Sequence, residues 1–173
     1  MTLSALHPPM RRTRMALALA LAGALALAGC NERREAKTGE AASELAALDL
    51  SGAAVRLEDY KGKVVLLNFW LGGCGPCLQE MPRLDAFYRD NRARGFEILA
   101  LNMGQPEADV AKIARRLQVA FPLLADSLKI TTDRYNVIAA PTSFVIDREG
   151  RLVAKILGPF DAPMLEEKIG RLL

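Results

Sequence analysis

At 173 residues, with 23 Lys and Arg against 20 Asp and Glu, the chain has room for one domain plus an appendage and no charge excess with which to grip nucleic acid. The net charge of +3 belongs to the appendage, because Arg11, Arg12 and Arg14 precede every acid and the rest of the chain is formally neutral. The single histidine, His7, lies there too, so a chain without that segment has no histidine for Ser-His or Cys-His catalysis or for metal ligation.

Met15 to Ala28 is almost wholly Ala and Leu and runs into Leu27-Ala28-Gly29-Cys30. A basic start, a short apolar run and small residues at its end describe a cleaved secretory signal over residues 1–29. The run is shorter than the ~20 apolar residues that span a bilayer. Residues 31–44 are charged and Ala-rich and read as a tether, leaving 45–173 as the domain.

Leu48-Asp49-Leu50 and Val55-Arg56-Leu57 flank Ser51-Gly52 and predict a short hairpin. Val64 to Trp70 is a continuous apolar run after Lys61-Gly62-Lys63, the pattern of a strand buried on both faces of a largely parallel sheet. From Cys74, apolar Leu78, Met81, Leu84, Phe87 and Tyr88 recur at helical spacing to about Arg94, with Gly95 as C-cap and a kink expected at Pro82. Phe96 to Leu101 reads as a second central strand. Pro106 to Gln118 reads as a helix with Val110, Ile113, Ala114 and Leu117 on one face. Short segments follow at Phe121–Leu124 and Leu128–Tyr135, then a hairpin of Thr142–Ile146 with Arg151–Leu157, then a helix over Met164–Leu172. The pattern is that of an α/β domain with a mixed central sheet flanked by helices.

Cys74-Gly75-Pro76-Cys77 lies between the buried strand and the helix. A cysteine at a helix N-terminus faces unpaired N–H groups and the positive end of the helix dipole, which favour thiolate over thiol. Three residues on, Cys77 is one turn away and within reach of a small disulfide ring, and Pro76 suits the first turn. With only three cysteines in the chain, a four-cysteine metal site is excluded. A purely structural disulfide stays open at this point.

Leu27-Ala28-Gly29-Cys30 resembles the lipobox of bacterial lipoproteins, which implies acylation of Cys30 and a lipid anchor outside the cytoplasm. The domain is similar to the thioredoxin superfamily, and especially to its TlpA/ResA-like branch. The likeness rests on Val65-Leu66-Leu67-Asn68-Phe69-Trp70, Cys74-Gly75-Pro76-Cys77, Glu80-Met81-Pro82, Ile98-Leu99-Ala100-Leu101-Asn102, Phe121-Pro122-Leu123-Leu124 and Ala140-Pro141-Thr142 through Asp147. It implies a thioredoxin-like fold with an N-terminal β-hairpin and an extra helix, 106–118, after the second central strand. It also implies thiol–disulfide exchange in which Cys74 attacks and Cys77 resolves. By the same resemblance Pro141 is a cis-proline bordering the substrate groove, and Glu80 tunes the thiols or accepts their proton. Asn68 stands where minimal thioredoxins carry a buried acid. Gly72-Gly73 replaces the bulky aromatic usual before the first cysteine, so an apolar wall beside Cys74 is expected to be missing.

The activity so implied is disulfide reduction in the periplasm, with apocytochrome c thiols as one candidate substrate; a dithiol oxidase or isomerase and a non-catalytic copper-binding module are the alternatives. A peroxidase of the same fold places its nucleophile in Thr-x-x-Cys, and position 71 here is Leu71. The expected partners are protein disulfides or dithiols, a membrane thiol that donates electrons, and the membrane through the anchor, with no cofactor, no metal, no nucleic acid and a monomeric chain.

Overall fold

The computed structural model describes residues 37–173; the expected signal, Cys30 and the start of the tether lie outside the described residues. Its organising element is strand β3 (Val64–Trp70), buried at every position. Alternation along β3 sends Val64, Leu66 and Trp70 into one core cluster and Val65, Leu67 and Phe69 into another, one on each face of the sheet. Each large apolar side chain removed from water in this way contributes about 1.5–3 kcal/mol.

β3 pairs in parallel with β4 (Phe96–Met103), and β4 with β5 (Leu123–Asp126). On its other side β3 is antiparallel to β6 (Thr142–Ile146), which pairs with β7 (Leu152–Leu157). A hairpin of β1 (Ala47–Asp49) and β2 (Ala54–Val55) adds antiparallel to β5. The result is a mixed 7-stranded sheet in the order β2-β1-β5-β4-β3-β6-β7.

Helix α1 (Gly75–Asn91) packs Cys77, Met81, Leu84 and Tyr88 onto one face of that sheet. It continues through Pro82 as a single helix; the lost hydrogen bond is offset where Met81 and Leu84 are fully buried. A 3₁₀ turn (Arg92–Arg94) follows, and Gly95 at φ 85° ends it as expected. Helix α2 (Glu107–Leu117) lies on the same face through the predicted residues Val110, Ile113, Ala114 and Leu117.

Two expectations need correction, and one segment left without a type is a helix. Val55-Arg56-Leu57 is strand only to Val55, because Leu57–Tyr60 turns into a 3₁₀ helix that buries Leu57. The Leu128–Tyr135 segment contains a short helix, α3 (Ile130–Arg134). It is fixed by the buried Asp126 carboxylate, which accepts from Thr131 N–H at 3.3 Å, Thr132 N–H at 2.7 Å and Thr132 Oγ1 at 2.8 Å. The closing helix begins earlier and is shorter, α4 (Ala162–Lys168) and a 3₁₀ turn (Gly170–Leu172), because Asp161 caps Met164 N–H at 2.8 Å.

The last part of the expected tether is fastened to the fold. Ala42 N–H donates to the Gly150 carbonyl at 2.9 Å, and the Tyr135 hydroxyl donates to that of Ser43 at 2.6 Å.

Trp70 closes β3 with its indole N–H donating to the Ala100 carbonyl at 3.2 Å across the sheet. Trp70→Phe, which removes that hydrogen bond and leaves a smaller ring in a fully buried place, is expected to lower stability by about 1–3 kcal/mol, read as a lower urea midpoint.

Candidate active site

β3 ends at Trp70, and four residues later the chain enters α1, so the sheet delivers Cys74 to the helix N-terminus. Cys74 is the N-cap residue, and its Sγ accepts from Cys77 N–H at 3.2 Å. The two sulfurs are joined at 2.02 Å with Cα atoms 5.2 Å apart. Cys74 is half-buried, whereas Cys77 is enclosed completely.

The Ala140–Pro141 peptide bond is cis, as the resemblance implied. It faces the pair: the Ala140 carbonyl oxygen lies 3.6 Å from Cys74 Sγ. Two residues earlier, Ile138 is 91% exposed.

Glu80 occupies the next turn of α1 after Cys77 and is 1% exposed. Its Oε1 accepts from Asn68 Nδ2 at 2.9 Å and its Oε2 from Phe160 N–H at 2.9 Å. Burial raises the carboxyl above the ordinary carboxylate range; the Phe160 and Asn68 hydrogen bonds and the Arg83 charge pull the other way. Asn68 spends its second N–H on Ser143 Oγ at 3.0 Å. Arg83 donates to the Phe160 carbonyl, and Gly158 N–H donates to the Pro141 carbonyl at 2.9 Å. One short loop, 158–160, therefore touches both the cis-proline and Glu80.

The sequence-predicted residues Cys74, Cys77, Glu80 and Pro141 thus come together with Asn68, while Cys30 lies outside the described residues. Trp70 is core, fully buried, as are Met81 and Phe144. Ser143, Arg83 and Phe160 were not singled out from sequence. Ser143 follows from the register that sets it opposite Asn68, and the other two from a contact 77 residues apart in the chain. Gly73 leaves its place open, since a Cβ there meets nothing within 4 Å, in line with the expected missing wall.

The model of the AhpC/TSA family matches residues 38–155. The chain belongs to this family. Among curated relatives it is 37% identical over 138 residues to the thiol-disulfide oxidoreductase ResA of Geobacillus kaustophilus, covering 80% of this chain and 79% of that protein. Its fold matches the thioredoxin domain of a thiol-disulfide oxidoreductase from Bacteroides vulgatus with a TM-score of 0.69 and 30% identity, over 78% of this chain and 96% of that one. It matches the pneumococcal exposed lipoprotein thioredoxin Etrx1 of Streptococcus pneumoniae with a TM-score of 0.67 and 28% identity, over 75% of this chain and 100% of that one. The protein is a thioredoxin-like thiol–disulfide oxidoreductase of ResA type with a Cys74–Cys77 disulfide, and it exchanges disulfides with protein substrates.

Because burial raises Glu80, the folded protein holds this proton more tightly than the unfolded chain does. The resulting stability is full below the ordinary carboxylate value of 4.5 and is lost as pH rises through the raised one. Glu80→Gln does not titrate. The stability advantage of the parent over this variant, measured by urea unfolding of the oxidised proteins, is expected to be greatest below pH 4.5 and to shrink as the pH rises above it.

Proposed function

We propose that this protein is a lipid-anchored reductase of disulfides in periplasmic or secreted proteins. The observation that carries the reading is the asymmetry of the pair: Cys74 is half-buried beside the cis-Pro141 loop, and Cys77 is wholly enclosed behind it. A substrate disulfide can reach only the first.

In the reduced protein the Cys74 thiolate, favoured by the N–H groups of α1, attacks one sulfur of the substrate disulfide. An S–S bond forms between Cys74 and the substrate, and the other substrate sulfur leaves as thiolate. Cys77 then loses its proton and attacks Cys74 Sγ, which releases the second substrate thiolate and closes Cys74–Cys77. Glu80, raised by burial and one helical turn from Cys77, is the acceptor for that proton. The backbone of the Ala140–Pro141 segment borders the groove, and exposed Ile138 beside it supplies apolar contact for a polypeptide. Two electrons pass to the substrate in each cycle, so a membrane thiol must return them.

The anchor rests on Leu27-Ala28-Gly29-Cys30, in keeping with the lipoprotein named among the structural relatives. Reduced apocytochrome c thiols are the candidate product, by analogy with the family. The second reading is an oxidase or isomerase, favoured by nothing beyond the reversibility of the same steps. Among the described residues no group of three or more His, Cys, Asp or Glu is placed to hold a metal.

Direction is read from the reduction potential of the pair: a value near about −270 mV is expected, and one near about −120 mV makes the protein an oxidant. Cys77→Ser is expected to accumulate mixed disulfides at Cys74 that identify the substrate on non-reducing gels, and Cys74→Ser to accumulate none. Glu80→Gln is expected to slow resolution of the mixed disulfide about a hundredfold or more, the usual range for a lost general base, and to flatten its dependence on pH. Cys30→Ser is expected to move the protein from the membrane to the soluble fraction.

A further inference from the structure

The two glycines before Cys74 differ in their surroundings. Gly73 faces open space, but a Cβ on Gly72 would overlap Ile113 Cδ1 of α2 and lie 3.0 Å from Gln105 Oε1. The absence of a side chain at 72 lets the β4–α2 connection approach the turn that carries the thiol. Gln105 uses that approach. Its Oε1 accepts from Gly72 N–H at 2.6 Å and from Asn102 Nδ2 at 2.8 Å. Asn102, fully buried, takes Gln105 N–H on its own Oδ1 at 3.1 Å, so residue 105 is tied at backbone and side chain alike. Asn102 is in turn the register partner of Trp70 across β3–β4, which roots the assembly in the sheet. The turn itself closes with Cys74 N–H on the Leu71 carbonyl at 3.1 Å.

We propose that Gln105 is a positioning residue for the Cys74 thiol. By holding the Gly72 amide against the end of β4, it fixes the turn from which Cys74 enters α1, and so the direction of Sγ toward the groove. The proposal rests on Cys74 being the attacking thiol. A neutral amide suits the task because it accepts as a carboxylate does without placing a negative charge near a developing thiolate. Half of the job belongs to Gly72, since any larger residue there displaces Gln105 or Ile113.

The test uses the reduced protein with two variants, Gln105→Met and Gln105→Glu. Three quantities are measured: the alkylation rate of the reactive cysteine against pH, with the labelled residue located by mass spectrometry; the rate of exchange with a model disulfide on the high-pH plateau; and the thermal midpoint. Gln105→Met keeps the length and loses the acceptor. It is expected to lower the plateau exchange rate about tenfold, equivalent to about 1.4 kcal/mol of barrier. Gln105→Glu keeps both accepted bonds, so its plateau is expected within about twofold of the parent while the pH midpoint of Cys74 moves upward.

A Gln105→Met protein with a lower thermal midpoint but an unchanged plateau overturns the proposal, since the side chain is then only structural. Equal plateau losses in the two variants overturn it as well. Should Gln105→Met not fold, Gln105→Glu alone decides: a preserved plateau with a raised midpoint supports the assignment, and an unmoved midpoint overturns it. A parent that labels at Cys77 instead removes the attacking role of Cys74, and is told apart from these outcomes by the position of the label.

Discussion

A carboxylate taken out of water must be met by donors or give up its charge, and Glu80 is buried on the face of α1 that packs against the sheet. Asn68 and the Phe160 amide meet it from two sides. Much of the site is organised around that requirement. Asn68 has to lie on the α1 face of β3, which its position in the alternation provides. The loop after β7 has to fold back over α1, where Arg83 secures the carbonyl of the residue whose N–H binds Glu80. That same loop reaches the Pro141 carbonyl through Gly158. The acid, the cis-proline and the loop between them are therefore one hydrogen-bonded unit.

The competition at Glu80 has a clear outcome. Two hydrogen bonds and the nearby guanidinium favour the charged form, but enclosure prevails and raises the proton affinity. A group so tuned is better able to take a proton from a thiol than an exposed carboxylate, whose pKa lies far below that of cysteine. Asn68 contributes to the same balance as a neutral donor. An acid at that position would set two carboxyl groups side by side in the core.

At the Cys74 end of the pair the constraint is one of geometry. Strand β3, buried on both faces, has no freedom to shift, and its last residue is pinned through the Trp70 indole. From there the Leu71–Gly73 turn is short, and its conformation decides where Cys74 Sγ points. Gln105 reaches this turn from the connection into α2, so the helix that lengthens the fold beyond its minimal form also buttresses the turn at the thiol. Gly73, by contrast, leaves the approach to Cys74 open on the solvent side.

Much of the fold was legible because its signals are local. The apolar run of β3, the helical spacing from Leu78 to Tyr88 and the glycine at 95 each state an element within a few residues of themselves. The end of the hairpin and the helical character of 130–134 are not legible locally, for a reason equally physical. The first is closed by a 3₁₀ turn whose value lies in burying Leu57, and the second is nucleated by Asp126 from a neighbouring strand. At the site, the spacing of Cys74 and Cys77 at a strand-to-helix junction by itself determined that a redox pair could form there. Family likeness added Pro141 and Glu80. Which sulfur is the more exposed, which groups hold the acid and which residue meets the turn were decided by tertiary structure alone. Those contacts join residues 12 to 80 positions apart, and no local pattern records them.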